Sequence, residues 1–269
     1  MLPIKHLSPS SVDTFFRCGE QWKRRYVDGD KRPPGIAAHI GSGVHGAAEH
    51  NHLQKIQTRR DEPLDVLQDK ARDSFLSRFE EGVHIGPDDD ASPAKLRTDG
   101  IDAATKLTKL YRDQAAPNIW PYLVEEKVYL ELDSLPIPVL GILDLATEDG
   151  SVLDLKTTGR KWSQAQADHN TAMSVYPTLY QALTGEYPAR LGFEVFVNKK
   201  SPEHQQLSVF KTSEDFDLFV HRAQIALDMI ALGIFPPAQP GAWNCSSRFC
   251  GYWDDCPHIP QRLKDTSHF

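Results

Sequence analysis

Two aspartates and a lysine stand in an otherwise apolar stretch, GILDLATEDGSVLDLKTT, over residues 141 to 158. Asp144 and Asp154 flank an acidic, Gly-containing turn, and Lys156 follows the second by two residues. The alternation of PVLGILDLA and SVLDLKT predicts two short strands joined as a hairpin. Directly opposed residues on antiparallel strands share a face, with Cβ atoms about 4.5–5.5 Å apart. Two bare carboxylates at that spacing repel, and a bound cation explains their closeness. Magnesium takes one or two carboxylates together with water and phosphate oxygens. Strand alternation puts Lys156 on the face of Asp154, where an ammonium can orient the attacking water or neutralise charge developing on a phosphate. An isolated Asp-x-Lys is most often a salt-bridged sheet face; the second aspartate on the preceding strand favours a phosphodiesterase site. The shared face imposes a parity condition. The turn needs an odd number of residues, such as Glu148-Asp149-Gly150, or a bulge, because a two-residue Asp149-Gly150 turn pairs Asp144 with Leu155 and sends the carboxylates to opposite faces.

The elements that must position this hairpin follow from periodicity. Residues 8 to 26 open with a capping region and place Val12, Phe15, Phe16, Trp22 and Tyr26 at mostly helical spacing. Further helices are expected from Gly43 to about Arg60, over 63 to 82 and over 95 to 115, with a polar loop at 85 to 94. From Tyr122 the period changes to that of a strand, YLVEEKVYLEL, which precedes the hairpin. Helix returns over 163 to 184, strands over 190 to 198 and 206 to 211, and helix over 213 to 232, before a Pro-rich bend and a cysteine-bearing tail. No repeat and no low-complexity segment interrupts this order. The expectation is a single α/β domain with a mainly helical region over 1–118, a sheet core over 119–212, and a helix and Cys-rich tail over 213–269.

The formal charge of −7 argues against a general nucleic-acid coat. Basic residues nevertheless gather in WKRRY, in Lys31-Arg32, in TRR and in GRKW, and acids in PDDDASP, which permits a basic groove on an acidic protein. No apolar run approaches the roughly 20 residues of a membrane span, and the N-terminus lacks a signal-peptide segment. A soluble intracellular protein is expected.

Four cysteines lie at the two ends of the sequence, Cys18 near the start and Cys245, Cys250 and Cys256 in WNCSSRFCGYWDDCP. Intracellular thiols seldom form structural disulfides, and four thiolates make a closed metal site. Zinc suits four thiolates, although this spacing is looser than that of paired zinc knuckles.

Asp144 and the Asp154-Leu155-Lys156 run resemble the signature of the PD-(D/E)XK nuclease superfamily. LSPSSVDTFFRCGEQWKRRYV, GSGVHGAAEH and YPTLYQALTG are similar, in order, to the opening helix, the histidine motif and the helix after the lysine strand of its RecB-like branch. The resemblance implies a restriction-endonuclease-like core, a mixed central sheet flanked by helices. It makes Asp144, Asp154 and the Leu155 carbonyl ligands of Mg2+ or Mn2+, His45 a further ligand or an active-site histidine, and Lys156 the catalytic lysine. Tyr180 matches the tyrosine of a Q-x-x-x-Y pattern. Tyr176 stands where that pattern has glutamine, and Gln181 supplies an amide only if the helix is rotated. Glu125 or Glu126 assists from the preceding strand. His45 has His39, His50 and His52 nearby and shares a helix face with Glu49, but a zinc hydrolase shows a denser ligand set.

The layout of the cysteines resembles that of the iron–sulfur members of the same branch, AddB-type subunits, CRISPR-adaptation nucleases and phage proteins among them. It implies a structural [4Fe–4S] cluster on Cys18, Cys245, Cys250 and Cys256, with Zn2+ as the alternative. The implied function is a metal-dependent deoxyribonuclease, an exonuclease on single-stranded DNA or DNA ends. The competing readings are a non-catalytic DNA-binding or assembly module of a helicase or integration complex, and an RNA nuclease. Arg160, Lys161 and Trp162 are the candidate DNA contacts, with Trp162 stacking on bases. No phosphate-binding G-x-x-x-x-G-K-[ST] loop is present, so unwinding would come from a helicase or recombination partner. The expected location is the cytoplasm, or the host cytoplasm if the gene is carried by a phage.

Overall fold

The computed structural model describes residues 2–86, 91–239 and 241–264. Its N-terminal part is helical: α1 (Pro9–Arg17), α2 (Gly19–Tyr26), α3 (Ile36–Thr58), α4 (Leu64–Phe79) and α5 (Pro93–Leu110). Strands β1 (Pro121–Leu130), β2 (Val139–Thr147) and β3 (Ser151–Thr158) follow, then α6 (Gln164–Asp168), α7 (Thr171–Thr184), β4 (Arg190–Val197), β5 (Glu203–Val209), α8 (Ser213–Ala231) and a short α9 (Gln261–Lys264). The strands form one mixed sheet in the order β1-β2-β3-β4-β5. Only β3 and β4 are parallel. A parallel pair needs a crossover, which α6 and α7 supply.

Successive side chains of β3 and β4 point to opposite faces of the sheet, and each face has its own core. Val152, Phe193, Val195 and Val197 pack with residues of α1, α2, α7 and α8. Leu153, Leu155 and Phe196 pack with α3, α4 and α5. The sheet therefore lies between two helical layers, as expected for the α/β class.

Several expected elements differ at their ends. The helix expected from Gly43 starts at Ile36, because glycines that lower its propensity serve as contact points. A Cβ at Gly43 would lie 2.8 Å from the Ala71 carbonyl oxygen, and one at Gly41 2.9 Å from Thr157 Oγ1. This small-residue face brings α3 against α4 and the end of β3. The stretch expected as helix over 163 to 184 is parted at Asn170, whose side chain caps α7 by accepting from the N–H groups of Ala172 and Met173 at 3.0 and 3.3 Å. α5 ends earlier than expected and continues as a π turn, Tyr111–Ala115. Residues 87–90 of the expected polar loop and Pro240 of the Pro-rich bend lie outside the described residues.

The helix expected over 8 to 26 is two helices broken at Cys18, which is extended (φ −164°, ψ 103°). The cause lies far along the chain. Gly19 N–H donates to the Pro236 carbonyl at 2.6 Å, and a Cβ on Gly19 would lie 2.7 Å from backbone atoms of Phe235 and Pro236. Cys18 then caps α2, its Sγ accepting from the Gln21 N–H at 3.4 Å. The tail is clasped to the same region: Arg24 and Arg32 pair with Asp255 at 2.9 and 2.8 Å, and both stand over the Tyr252 ring. Among the described residues no helix is long and apolar enough to cross a membrane.

Gly19→Ala forces backbone apart where no flexible side chain can yield, so it should cost about 1–3 kcal/mol of stability. Denaturant unfolding of the variant measures this.

Candidate active site

The hairpin register places the two aspartates. Leu145 pairs with Leu153 and Ala146 with Val152, so the turn has three residues, 148–150, and Asp144 falls opposite Asp154. The odd turn required for a shared carboxylate face is present. It is held by Asp149, whose Oδ1 accepts from Thr147 Oγ1 at 2.5 Å and from the Ser151 N–H at 3.1 Å. Gly150 supplies the positive φ of 77°.

Asp154 is fully buried. Its Oδ2 is 2.5 Å from Lys156 Nζ, and the lysine side chain keeps 33% of its surface exposed. Beyond this ion pair the oxygen has no further partner among the described residues. The two carboxylates titrate as one unit. Burial, with Asp154 beside it, pushes the Asp144 carboxyl well above the usual carboxylate range. Burial also works against the Asp154 carboxylate, but the Lys156 ammonium and a hydrogen bond with Asp144 hold its pKa down. Burial opposes the Lys156 charge in turn, and Asp154 and Asp144 together raise its pKa.

α3 contributes His45, whose ring lies against the Leu155 carbonyl; burial and then Lys156 lower its pKa, leaving a neutral imidazole. From α7 comes Tyr176, whose hydroxyl lies 3.3 Å from Asp144 Oδ1 and 3.4 Å from Asp154 Oδ1. Burial and the two carboxylates keep this phenol protonated. The site opens into a cavity of about 1080 Å³ between α3, α4 and the end of β3, which His45, Glu49, Glu125, Lys156 and Thr157 help to line.

Of the two glutamates left open by the sequence, Glu125 is the one in the cavity. Its φ of +53° is rare for a side chain with a Cβ. The register on either side, Val124 with Leu145 and Glu126 with Leu143, sets it opposite Asp144. Burial, Glu49 and Asp154 raise its pKa. Such strain collects at functional sites. A backbone outlier leaves no mark in residue type or spacing, so the sequence could not choose between Glu125 and Glu126.

Two expectations need correction. Tyr180 is not gathered with the carboxylates. One helical turn beyond Tyr176, its hydroxyl points to the hairpin turn, 3.7 Å from where a Cβ on Gly150 would lie. Tyr176 takes the place at the site, with no helix rotation to bring in Gln181. Trp162 is not a free stacking surface. It packs edge-on against Phe193 at 5.1 Å, and its backbone is held by Gln205. Lys161 is paired with Glu203 at 2.7 Å; Arg160 is exposed.

The residues fit a hard cation. Asp144 and Asp154 offer opposed carboxylates, Asp154 Oδ2 is buried without a directional partner, and the Leu155 carbonyl and a neutral His45 stand beside them. Among the described residues no three His, Cys, Asp or Glu side chains form a closed ligand group. The remaining positions around an ion would thus fall to water and phosphate oxygens, as magnesium prefers. In a separate cavity of about 460 Å³, Cys18, Cys245, Cys250 and Cys256 stand together in the lining. Burial and the neighbouring sulfurs raise the thiol pKa values of Cys245 and Cys250. Here too the described side chains form no closed metal group.

The profile of the PD-(D/E)XK nuclease superfamily matches residues 6–257. The fold is similar to a crystal structure from Eubacterium rectale called "Putative exonuclease", with a TM-score of 0.59 and 13% identity over 95% of this chain and 90% of that one. No curated protein matches the chain.

A carboxyl whose pKa is raised on folding costs nothing below its unfolded value, where both states are protonated. Stability then falls as pH rises from that value through the folded one. Asp144→Asn removes this cost, so in metal-free buffer it should be more stable than the wild type at pH 7, with the gain shrinking near pH 4. Thermal melts across that range check the sign.

Proposed function

The chain belongs to the PD-(D/E)XK nuclease superfamily, and from that premise we propose that it is a Mg2+- or Mn2+-dependent deoxyribonuclease, an exonuclease acting on single-stranded DNA or DNA ends. The observation that carries the reading is the directly opposed pair of Asp144 and Asp154, with Lys156 Nζ 2.5 Å from Asp154. When bound, the divalent ion supplies Lewis acidity toward the phosphate and toward water. Asp144, Asp154 and the Leu155 carbonyl would hold it, with His45 at its edge. Lys156, charged and reaching the open cavity, sits where negative charge grows on the non-bridging phosphate oxygens and stabilises it. Glu125, with its raised pKa, is placed to accept a proton from the attacking water.

Asp154→Ala and Lys156→Ala should each lower cleavage of end-labelled single-stranded DNA by at least about 100-fold, while folding and DNA binding persist. Wild-type rates in both variants would remove the site from the chemistry.

The four-cysteine cavity is proposed to hold a structural [4Fe–4S] cluster, with Zn2+ as the alternative. The support is the meeting of thiols from both ends of the chain in one cavity. Cys18 also caps α2, and serine caps a helix well. Cys18→Ser thus preserves the helix start while removing one thiolate. It should shed iron and lower the melting temperature, read by visible absorption and metal analysis of anaerobically purified protein. A variant that keeps its full iron complement places Cys18 outside the cluster.

A further inference from the structure

Tyr176 sits closer to the two aspartates than any role in core packing requires. Its ring belongs to the apolar core beneath the sheet, and its hydroxyl lies within reach of Asp144 Oδ1 and Asp154 Oδ1 together. A phenol has a single proton to give. It can donate to one carboxylate at a time, and either bond fixes the rotation of that carboxylate. The consequence falls on the opposite atoms. With both Oδ1 atoms turned toward Tyr176, Asp154 Oδ2 is left facing Lys156, buried and without a directional hydrogen bond. Asp144 and Asp154 come from different strands, so no backbone bond sets the angle between their planes.

We propose that Tyr176 is a positioning residue for the cation site: its hydroxyl fixes the relative orientation of the Asp144 and Asp154 carboxylates, so that the pair meets a divalent ion already arranged. The inference rests on the metal-dependent reading of this site. It assigns Tyr176 no contact with substrate and no part in proton transfer. Partners that orient metal-binding carboxylates commonly govern affinity by 10- to 100-fold. Tyr176→Phe, which keeps the ring and deletes only the oxygen, should therefore weaken Mn2+ binding by about 10-fold. The rate at saturating Mn2+ should stay close to that of the wild type, because Lys156 and the carboxylates remain. Tyr176→Gln, which keeps a donor, should recover part of the affinity.

The test is isothermal calorimetry of Mn2+ with full-length wild type, Tyr176→Phe and Tyr176→Gln without DNA, beside metal-free thermal melts of each. A Tyr176→Phe protein that melts like the wild type but binds Mn2+ about 10-fold more weakly supports the proposal. Equal affinity in wild type and Tyr176→Phe overturns it and leaves the nuclease reading intact. A Tyr176→Phe protein that melts well below the wild type without metal also overturns it, by showing the hydroxyl to be a strut of the fold. A rate that stays depressed at saturating Mn2+ does so as well, by pointing to direct chemistry. A wild type that takes up no Mn2+ removes the metal-dependent reading itself, and this inference with it.

Discussion

Two carboxylates facing each other in the interior of a sheet repel and are costly to bury, and elements from several parts of the chain converge on them. Without a cation, burial and the neighbouring carboxylate push the Asp144 carboxyl well up, while Lys156 holds the Asp154 carboxyl down. Every structural condition for that compromise comes from a different place in the chain. The three-residue turn sets the register, β3 alternation delivers the lysine, and α7 brings the phenol from one layer while α3 brings the imidazole from the other. A buried ion pair seldom adds net stability over apolar packing. Keeping this one is costly, and the cost makes sense where binding of a cation relieves it.

The helical layer that carries His45 shows how closely approach distance is controlled. Gly41 and Gly43 have no room for a methyl group against Thr157 and Ala71. A helix of larger residues there would stand off from β3 and carry His45 and Glu49 away from Lys156. Glu125 reaches the same cavity by another route, a left-handed backbone within β1 that departs from strand alternation. Close packing in one case and local strain in the other converge on one space of about 1080 Å³.

What the sequence made legible follows the range of the forces involved. The hairpin, its parity and the roles open to Asp144, Asp154 and Lys156 depend on alternation and turn length, both local. The sheet core was readable for the same reason. The break at Cys18 was not, because it is imposed by Phe235 and Pro236 at the far end of the sequence. Tyr176 and Tyr180 are one helical turn apart and equally buried, so only the height of α7 along the hairpin decides which hydroxyl meets the carboxylates. Trp162 follows Gly-Arg-Lys and reads as a surface residue, yet β4 offers it Phe193.

The clasp between the chain ends bears on how this protein is made. Arg24 and Asp255 are 231 residues apart, and the Trp22 ring stacks on Phe235 at 6.0 Å. At typical ribosomal speeds of about 5–20 residues per second, an interval on the order of 10–50 s separates the emergence of the two partners. Throughout that interval the apolar face of the first two helices has no Phe235 to cover it. Contacts of such span also slow folding, since the longest loop closes before they contribute. The growing chain thus carries α1 and α2 as a sticky, unfinished surface until Phe235 has been made.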